Sequence, residues 1–86
     1  MKIIKFYAEW CGPCKVLSKT LESMKDELSV EIEEVNIDED IDRARLYNIR
    51  SVPTMILEDN GKELSRQIGN LSAGDIRKFL NMSTQA

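Results

Sequence analysis

The alternation of apolar and polar residues divides the chain into short segments of strand and helix. Residues 2–8 are rich in isoleucine and aromatic side chains and predict a first strand. Apolar residues then recur at helical spacing over residues 17–28, which predicts an amphipathic helix that begins near Cys11. Strand patterning returns in "SVEIEEVNID" (residues 29–38), and "DEDIDRARLYNI" (residues 38–49) predicts a short helix with acidic residues in its first turn.

The second half of the chain predicts a hairpin followed by a last helix. An apolar strand begins just after Pro53. The dipeptide Asn60-Gly61 favours positive φ and predicts a tight turn, so that "KELSRQI" (residues 62–68) forms the returning strand. Ser72 is placed as the N-cap of the last helix.

These segments follow the order β-α-β-α-β-β-α, which predicts one α/β domain over residues 1–86. A helix joins the first two strands, so we expect them to be parallel with a right-handed crossover. The last two strands are expected to be antiparallel.

Composition and charge exclude several classes of function. The net charge is −3, and the basic residues are interleaved with acidic ones, which argues against nucleic-acid binding. No apolar run approaches the length of a membrane span, and the first residues lack the apolar core of a secretory signal, so we expect a cytoplasmic protein. The chain has 2 cysteines and 0 histidines, which allows neither a disulfide framework nor a zinc site. No metal is expected.

Both cysteines lie in "WCGPC", at the boundary between the first strand and the first helix. Unpaired backbone N–H groups and the positive end of the helix dipole favour a thiolate at Cys11. Pro13 suits the first helical turn, which also carries Cys14 close enough to form a disulfide. We expect Cys11 to be exposed and to attack a substrate disulfide, and the shielded Cys14 to resolve the mixed disulfide. The alternative is an incidental structural pair.

The chain resembles the thioredoxin family in "FYAEWCGPCK", "NIDED", "YNIRSVPT", "DNGK" and "IGNLSAGDIRKFL". The resemblance covers nearly the whole chain but lacks the first strand and helix that thioredoxins usually carry. It implies a thioredoxin-like fold, with a four-stranded mixed sheet flanked by helices in the spatial order second, first, third, fourth. It also implies a monomeric protein-disulfide reductase without a cofactor, whose substrates are disulfide-containing proteins and whose electron donor is an NADPH-dependent thioredoxin reductase.

The resemblance also assigns roles to residues around the cysteines. Pro53 matches the cis-proline of the family, and the backbone of Val52 would pair with a substrate peptide like an added strand. The apolar surface that contacts partners would include Trp10, Gly12, Pro13, Val52, Gly69 and Asn70. The alternatives are a trans-proline at the start of an edge strand and a lone surface aromatic at Trp10.

Lys5 and Glu34 depart from the family pattern. Thioredoxins usually carry an acid at the position of Lys5 and a lysine at the position of Glu34. The two residues therefore look like an ion pair with its signs exchanged. A charged Lys5 would favour the thiolate of Cys14, whereas a neutral Lys5 could accept the Cys14 proton, and Glu34 is a competing base. Alternatively, Lys5 extends to solvent and Glu34 is simply exposed.

Two other functions remain open from the sequence. A glutaredoxin-like protein would take its electrons from glutathione, and Lys15 and Arg50 are candidates for binding the glutathione carboxylates. A non-catalytic thioredoxin-like subunit would dock on a larger enzyme through the same apolar surface. Loss of function in Cys11→Ser separates both reductases from the docking subunit.

Overall fold

Strands and helices follow one another in the predicted order. The computed structural model describes residues 1–84, so the last two residues of the predicted domain lie outside the described part. In chain order the elements are β1 (Lys2–Tyr7), α1 (Gly12–Ser23), β2 (Glu31–Asn36), α2 (Ile41–Leu46), β3 (Thr54–Asp59), β4 (Lys62–Ile68) and α3 (Ala73–Thr84).

The strands form one mixed sheet in the order β2-β1-β3-β4. Strands β1 and β2 are parallel, whereas β3 is antiparallel to both β1 and β4. The predicted strand order and the predicted directions are therefore confirmed. In this register Lys5 of β1 lies opposite Glu34 of β2 on one side and Met55 of β3 on the other. Strand β2 is an edge of the sheet in the described residues, which places Glu34 close to solvent.

The alternating side chains of β1 supply both faces of the sheet. Ile3 packs with residues of α1, β3 and α3 in the larger apolar cluster. Ile4 and Phe6 point to the opposite face and form a second cluster with residues of β2 and β3, against which the segment after α2 also packs. Lys5 shares the face of Ile3, so its side chain lies beneath α1 in an otherwise apolar layer.

Local sequence signals account for the hairpin and for the start of α3. Asn60 and Gly61 have φ of 52° and 79°, as the tight turn between β3 and β4 requires. Ser72 Oγ accepts a hydrogen bond from the Asp75 backbone N at 3.1 Å, and Asp75 Oδ2 accepts one from the Ser72 backbone N at 3.3 Å. This reciprocal pair satisfies two backbone donors and confirms the predicted N-cap. Within residues 1–84, no helix has the length and apolar character needed to cross a membrane.

Candidate active site

The two cysteines lie at the start of α1. Cys11 is the N-cap residue with an extended backbone (φ −91°, ψ 106°), and Pro13 occupies the first turn. The Sγ atom of Cys11 accepts a hydrogen bond from the backbone N of Cys14 at 3.1 Å. A disulfide joins the two cysteines, with their Cα atoms 5.3 Å apart. The sulfur of Cys11 thus receives one of the backbone N–H groups that the helix leaves unpaired, as the sequence predicts.

The predicted difference in exposure between the two sulfurs is wrong for this oxidised form. Cys11 is 4% exposed and Cys14 is 2% exposed. Both pack with Ala8, and Val52 packs against the pair. The carbonyl oxygen of Val52 lies 3.8 Å from Cys11 Sγ. Cys11 is covered because the segment before β3 lies against the disulfide, a contact that the local sequence of α1 does not contain.

The segment at Val52 and the segment after β4 meet beside the disulfide. The peptide bond between Val52 and Pro53 is cis. The carbonyl oxygen of Pro53 accepts a hydrogen bond from the backbone N of Gly69 at 2.8 Å. Gly69 has a φ of 93°, a conformation that favours glycine, and the exposed Asn70 follows it. Val52 packs against the sulfurs and Asn70 is exposed, whereas the side chain of Pro53 is fully buried between them along the chain.

Trp10, Gly12 and Pro13, which flank Cys11 along the chain, are exposed. The Trp10 side chain is 70% exposed, yet its Nε1 donates a hydrogen bond to Asp38 Oδ2 at 2.9 Å. Asp38 thus orients an exposed indole. The sequence analysis missed this role, because the local pattern marks Asp38 only as an acid near the start of a helix.

Lys5 is buried, with 1% of its side chain exposed. Its Nζ lies 3.2 Å from Glu34 Oε1, is hydrogen-bonded to Ser18 Oγ, and sits 5.3 Å from the centroid of the Tyr7 ring. The alternative in which Lys5 extends to solvent is therefore wrong. Glu34 is 55% exposed, so the pair joins a buried cation to a carboxylate that water still reaches.

Ser18 is a second residue that the sequence analysis missed. It lines an open cavity of about 440 Å³ together with Cys14 and four neighbours, namely Tyr7, Ala8, Glu9 and Lys15. It also lines a smaller groove of about 190 Å³ that contains Glu34. Ser18 therefore shares one pocket with Cys14 and another with Glu34. Within the part of the chain that the structure describes, no group of three or more metal-binding side chains is placed to hold a metal ion.

Comparisons with known proteins agree with this geometry. A family model described as Thioredoxin matches residues 1–82. A thioredoxin of Chlamydia caviae is 44% identical over 80 residues, which are 92% of this chain and 78% of the relative. A thioredoxin of Chlamydia trachomatis is 47% identical over the same shares of the two chains. The solved structure of a mutant thioredoxin from Halobacterium salinarum has a TM-score of 0.87 at 26% identity, and the match covers 98% of this chain and 74% of that one.

Proposed function

Because the chain belongs to the thioredoxin family and is a thiol–disulfide oxidoreductase, we propose that it reduces the disulfides of other proteins through the dithiol of Cys11 and Cys14. The observation that carries this proposal is the position of Cys11 as N-cap of α1, with its sulfur hydrogen-bonded to the backbone N of Cys14. That arrangement stabilises a negative sulfur, which is the attacking species in disulfide exchange.

The reaction proceeds in two exchanges of sulfur bonds. The thiolate of Cys11 attacks one sulfur of the substrate disulfide, and the other substrate sulfur leaves as a thiolate and takes up a proton from water. The thiolate of Cys14 then attacks Cys11 Sγ and breaks the mixed disulfide, so the second substrate sulfur also leaves. The substrate gains two electrons, and the protein is left with the Cys11–Cys14 disulfide seen in the structure.

We assign the contact with protein substrates to the surface that surrounds the disulfide. Its proposed members are Trp10, Gly12, Pro13, Val52, Gly69 and Asn70, and Pro53, whose side chain is buried, holds the substrate-pairing backbone of Val52 through its cis peptide bond. The exposed indole of Trp10 supplies apolar contact area, and the backbone of Val52 lies next to Cys11 Sγ. An extended substrate peptide that pairs with this backbone brings its disulfide to the nucleophile.

We propose that Lys5 and Glu34 tune Cys14. The ammonium of Lys5 has three donors, and Ser18, Glu34 and the face of the Tyr7 ring are placed to receive them. These partners hold the amine of Lys5 beneath α1, where its positive charge would stabilise a thiolate at Cys14. Glu34 is 55% exposed and is the candidate base of the pair, which would take the Cys14 proton by way of water.

The proposed function also includes the domain, the oligomeric state, the location and the electron donor of the protein. Residues 1–86 form a single domain that acts as a monomer in the cytoplasm. Its oxidised form takes its electrons from an NADPH-dependent thioredoxin reductase. The similarity of most of the chain to named thioredoxins supports this donor over glutathione.

The test is the reduction of insulin disulfides, with either NADPH and thioredoxin reductase or glutathione as the source of electrons. We expect turnover with the reductase and little with glutathione. Cys11→Ser should abolish turnover, and Cys14→Ser should accumulate a mixed disulfide through Cys11. Ser23→Ala, which removes an exposed hydroxyl on α1, is the matched control and should keep full activity. Efficient turnover with glutathione alone would favour the glutaredoxin-like function, and activity in Cys11→Ser would contradict both.

A further inference from the structure

The three hydroxyl side chains of α1 are bound in two different ways. Thr20 Oγ1 donates to the backbone O of Val16 at 3.2 Å, and Ser23 Oγ donates to the backbone O of Thr20 at 2.7 Å. Such bonds to the preceding turn are the usual arrangement for hydroxyls within a helix. Ser18 differs, because its one hydrogen-bond partner within residues 1–84 is the ammonium of Lys5. A tertiary contact therefore orients the Ser18 hydroxyl.

The chemistry of the two groups determines the direction of this hydrogen bond. An ammonium group can only donate, so Ser18 Oγ is the acceptor. The hydroxyl proton of Ser18 is then free to be donated to another group. Lys5 is 1% exposed and stays beside Ser18 because β1 and α1 are packed together.

The position of Ser18 on the helix makes Cys14 a candidate acceptor for that proton. Ser18 follows Cys14 by four residues, so the two side chains lie on the same face of α1 about one turn apart. Both line the cavity of about 440 Å³ that opens beside the disulfide. The sulfur of Cys14 becomes negative in the resolving exchange and needs a donor there.

We propose that Ser18 is a positioning residue for the resolving exchange: its hydroxyl accepts a hydrogen bond from Lys5 and donates one to the thiolate of Cys14. Lys5 thereby acts on the sulfur through Ser18. This inference rests on the proposed function, because it concerns the second of the two exchanges. Cys14 loses its thiol proton to water in the cavity, and its thiolate then forms the new bond to Cys11 Sγ while the bond from Cys11 to the substrate sulfur breaks. The Ser18 hydroxyl is not consumed.

Other charged and titratable groups also face this site and contribute to its pH dependence. Tyr7 of β1, Glu9 in the following segment and Lys15 of α1 line the same cavity. Glu34 reaches Lys5 from β2. A Ser18 variant keeps all of these side chains in the sequence, so a matched comparison with the unaltered protein reports on the hydroxyl.

Dithiobis(nitrobenzoate) separates the two exchanges, because each releases one coloured nitrothiobenzoate anion. The reduced protein attacks the reagent with Cys11 and releases the first anion. Cys14 then attacks Cys11 Sγ and releases the second. Stopped-flow absorbance at a series of pH values gives both rates. Ser18→Ala should slow the second release about tenfold near neutral pH and move its pH midpoint up by about one unit, because one charge-assisted hydrogen bond is lost. The first release should keep its rate.

Three comparisons make the experiment decisive. Ser18→Thr keeps the hydroxyl and should restore the second release to within about threefold of the unaltered protein. Ser23→Ala should leave both releases unchanged. In a Lys5→Met background, Ser18→Ala should slow the second release little further, because Ser18 then has no ammonium to link to the thiolate of Cys14.

The inference is overturned if Ser18→Ala keeps the pH profile of the unaltered protein. It is also overturned if Ser18→Thr is as slow as Ser18→Ala, or if Ser18→Ala loses the same factor in the Lys5→Met background. A slow first release in the unaltered protein would instead contradict the proposed role of Cys11, so the two failures are distinguishable.

Discussion

Replacing Glu34 by glutamine removes the carboxylate that faces the buried ammonium of Lys5. The two charged atoms are 3.2 Å apart, and Lys5 is 1% exposed while Glu34 is 55% exposed. Breaking a fully buried pair costs about 3–5 kcal/mol, whereas an exposed pair contributes about 0–1 kcal/mol. This pair lies between those limits because water reaches only one partner. We therefore expect Glu34→Gln to lower the free energy of unfolding by about 1–2 kcal/mol.

Lys5→Met should behave differently, although it breaks the same contact. Methionine fills most of the volume of the lysine stem without a charge, and the carboxylate that remains at Glu34 is hydrated. We expect a change within about 1 kcal/mol of zero, and Glu34→Gln should cost almost nothing in the Lys5→Met background.

Urea unfolding of the four proteins of this cycle, with the disulfide intact throughout, measures the coupling between Lys5 and Glu34. The unaltered protein and Ser23→Ala provide the reference. Equal losses from Glu34→Gln in both backgrounds would refute the reasoning, because Glu34 would then act without Lys5. A loss above about 3 kcal/mol in Lys5→Met would also refute it, since burying the charged end of Lys5 would then be strongly stabilising by itself.

Three further predictions concern stability and substrate contact. Arg43, and after it Lys2, lower the pKa of Glu33 to about 2. This carboxylate therefore stabilises the fold above about pH 4.5 and loses its contribution as the pH falls towards 2. Because the Glu33 side chain is 35% exposed, water weakens the contribution. In urea unfolding, Glu33→Gln should lower the free energy of unfolding by about 1 kcal/mol near pH 7 and by less near pH 3. Ser72→Ala should lower the free energy of unfolding by about 1 kcal/mol through loss of the α3 cap, and Ser72→Asn, which can still cap, should lose less. Asp38→Ala should release the Trp10 indole and raise the KM for insulin about threefold with little change in stability, as thermal unfolding would verify.

The parts of this fold that the sequence predicts are those with a local physical cause. Asn60 and Gly61 form the turn because they tolerate positive φ, and Ser72 caps α3 through a partner three residues away. The approach of Lys5 to Glu34 was expected from the family resemblance, and the parallel register of β1 with β2 places the two residues opposite each other.

The parts that escaped prediction depend on contacts between distant segments. The hydroxyl of Ser18 could have bonded its own helix, as those of Thr20 and Ser23 do, and only the packing of α1 on β1 places it next to Lys5. Cys11 is covered because Val52, 41 residues away, lies against it. Such contacts follow from the packing of whole elements, and no local pattern encodes them.

The exchanged charges at Lys5 and Glu34 suit the position of β2 at the edge of the described sheet. A lysine stem of four methylenes can cross the apolar layer beneath α1 and deliver its ammonium near that edge. The shorter glutamate on β2 then keeps contact with water, which reduces the cost of desolvating the pair. With the charges the other way round, a short acid at position 5 would end farther from the sheet edge at β2. A long cationic side chain at position 34 would then have to reach inward to meet it. The observed order therefore places the amine of Lys5 beneath α1, in contact with Ser18, which in turn lines the cavity beside Cys14.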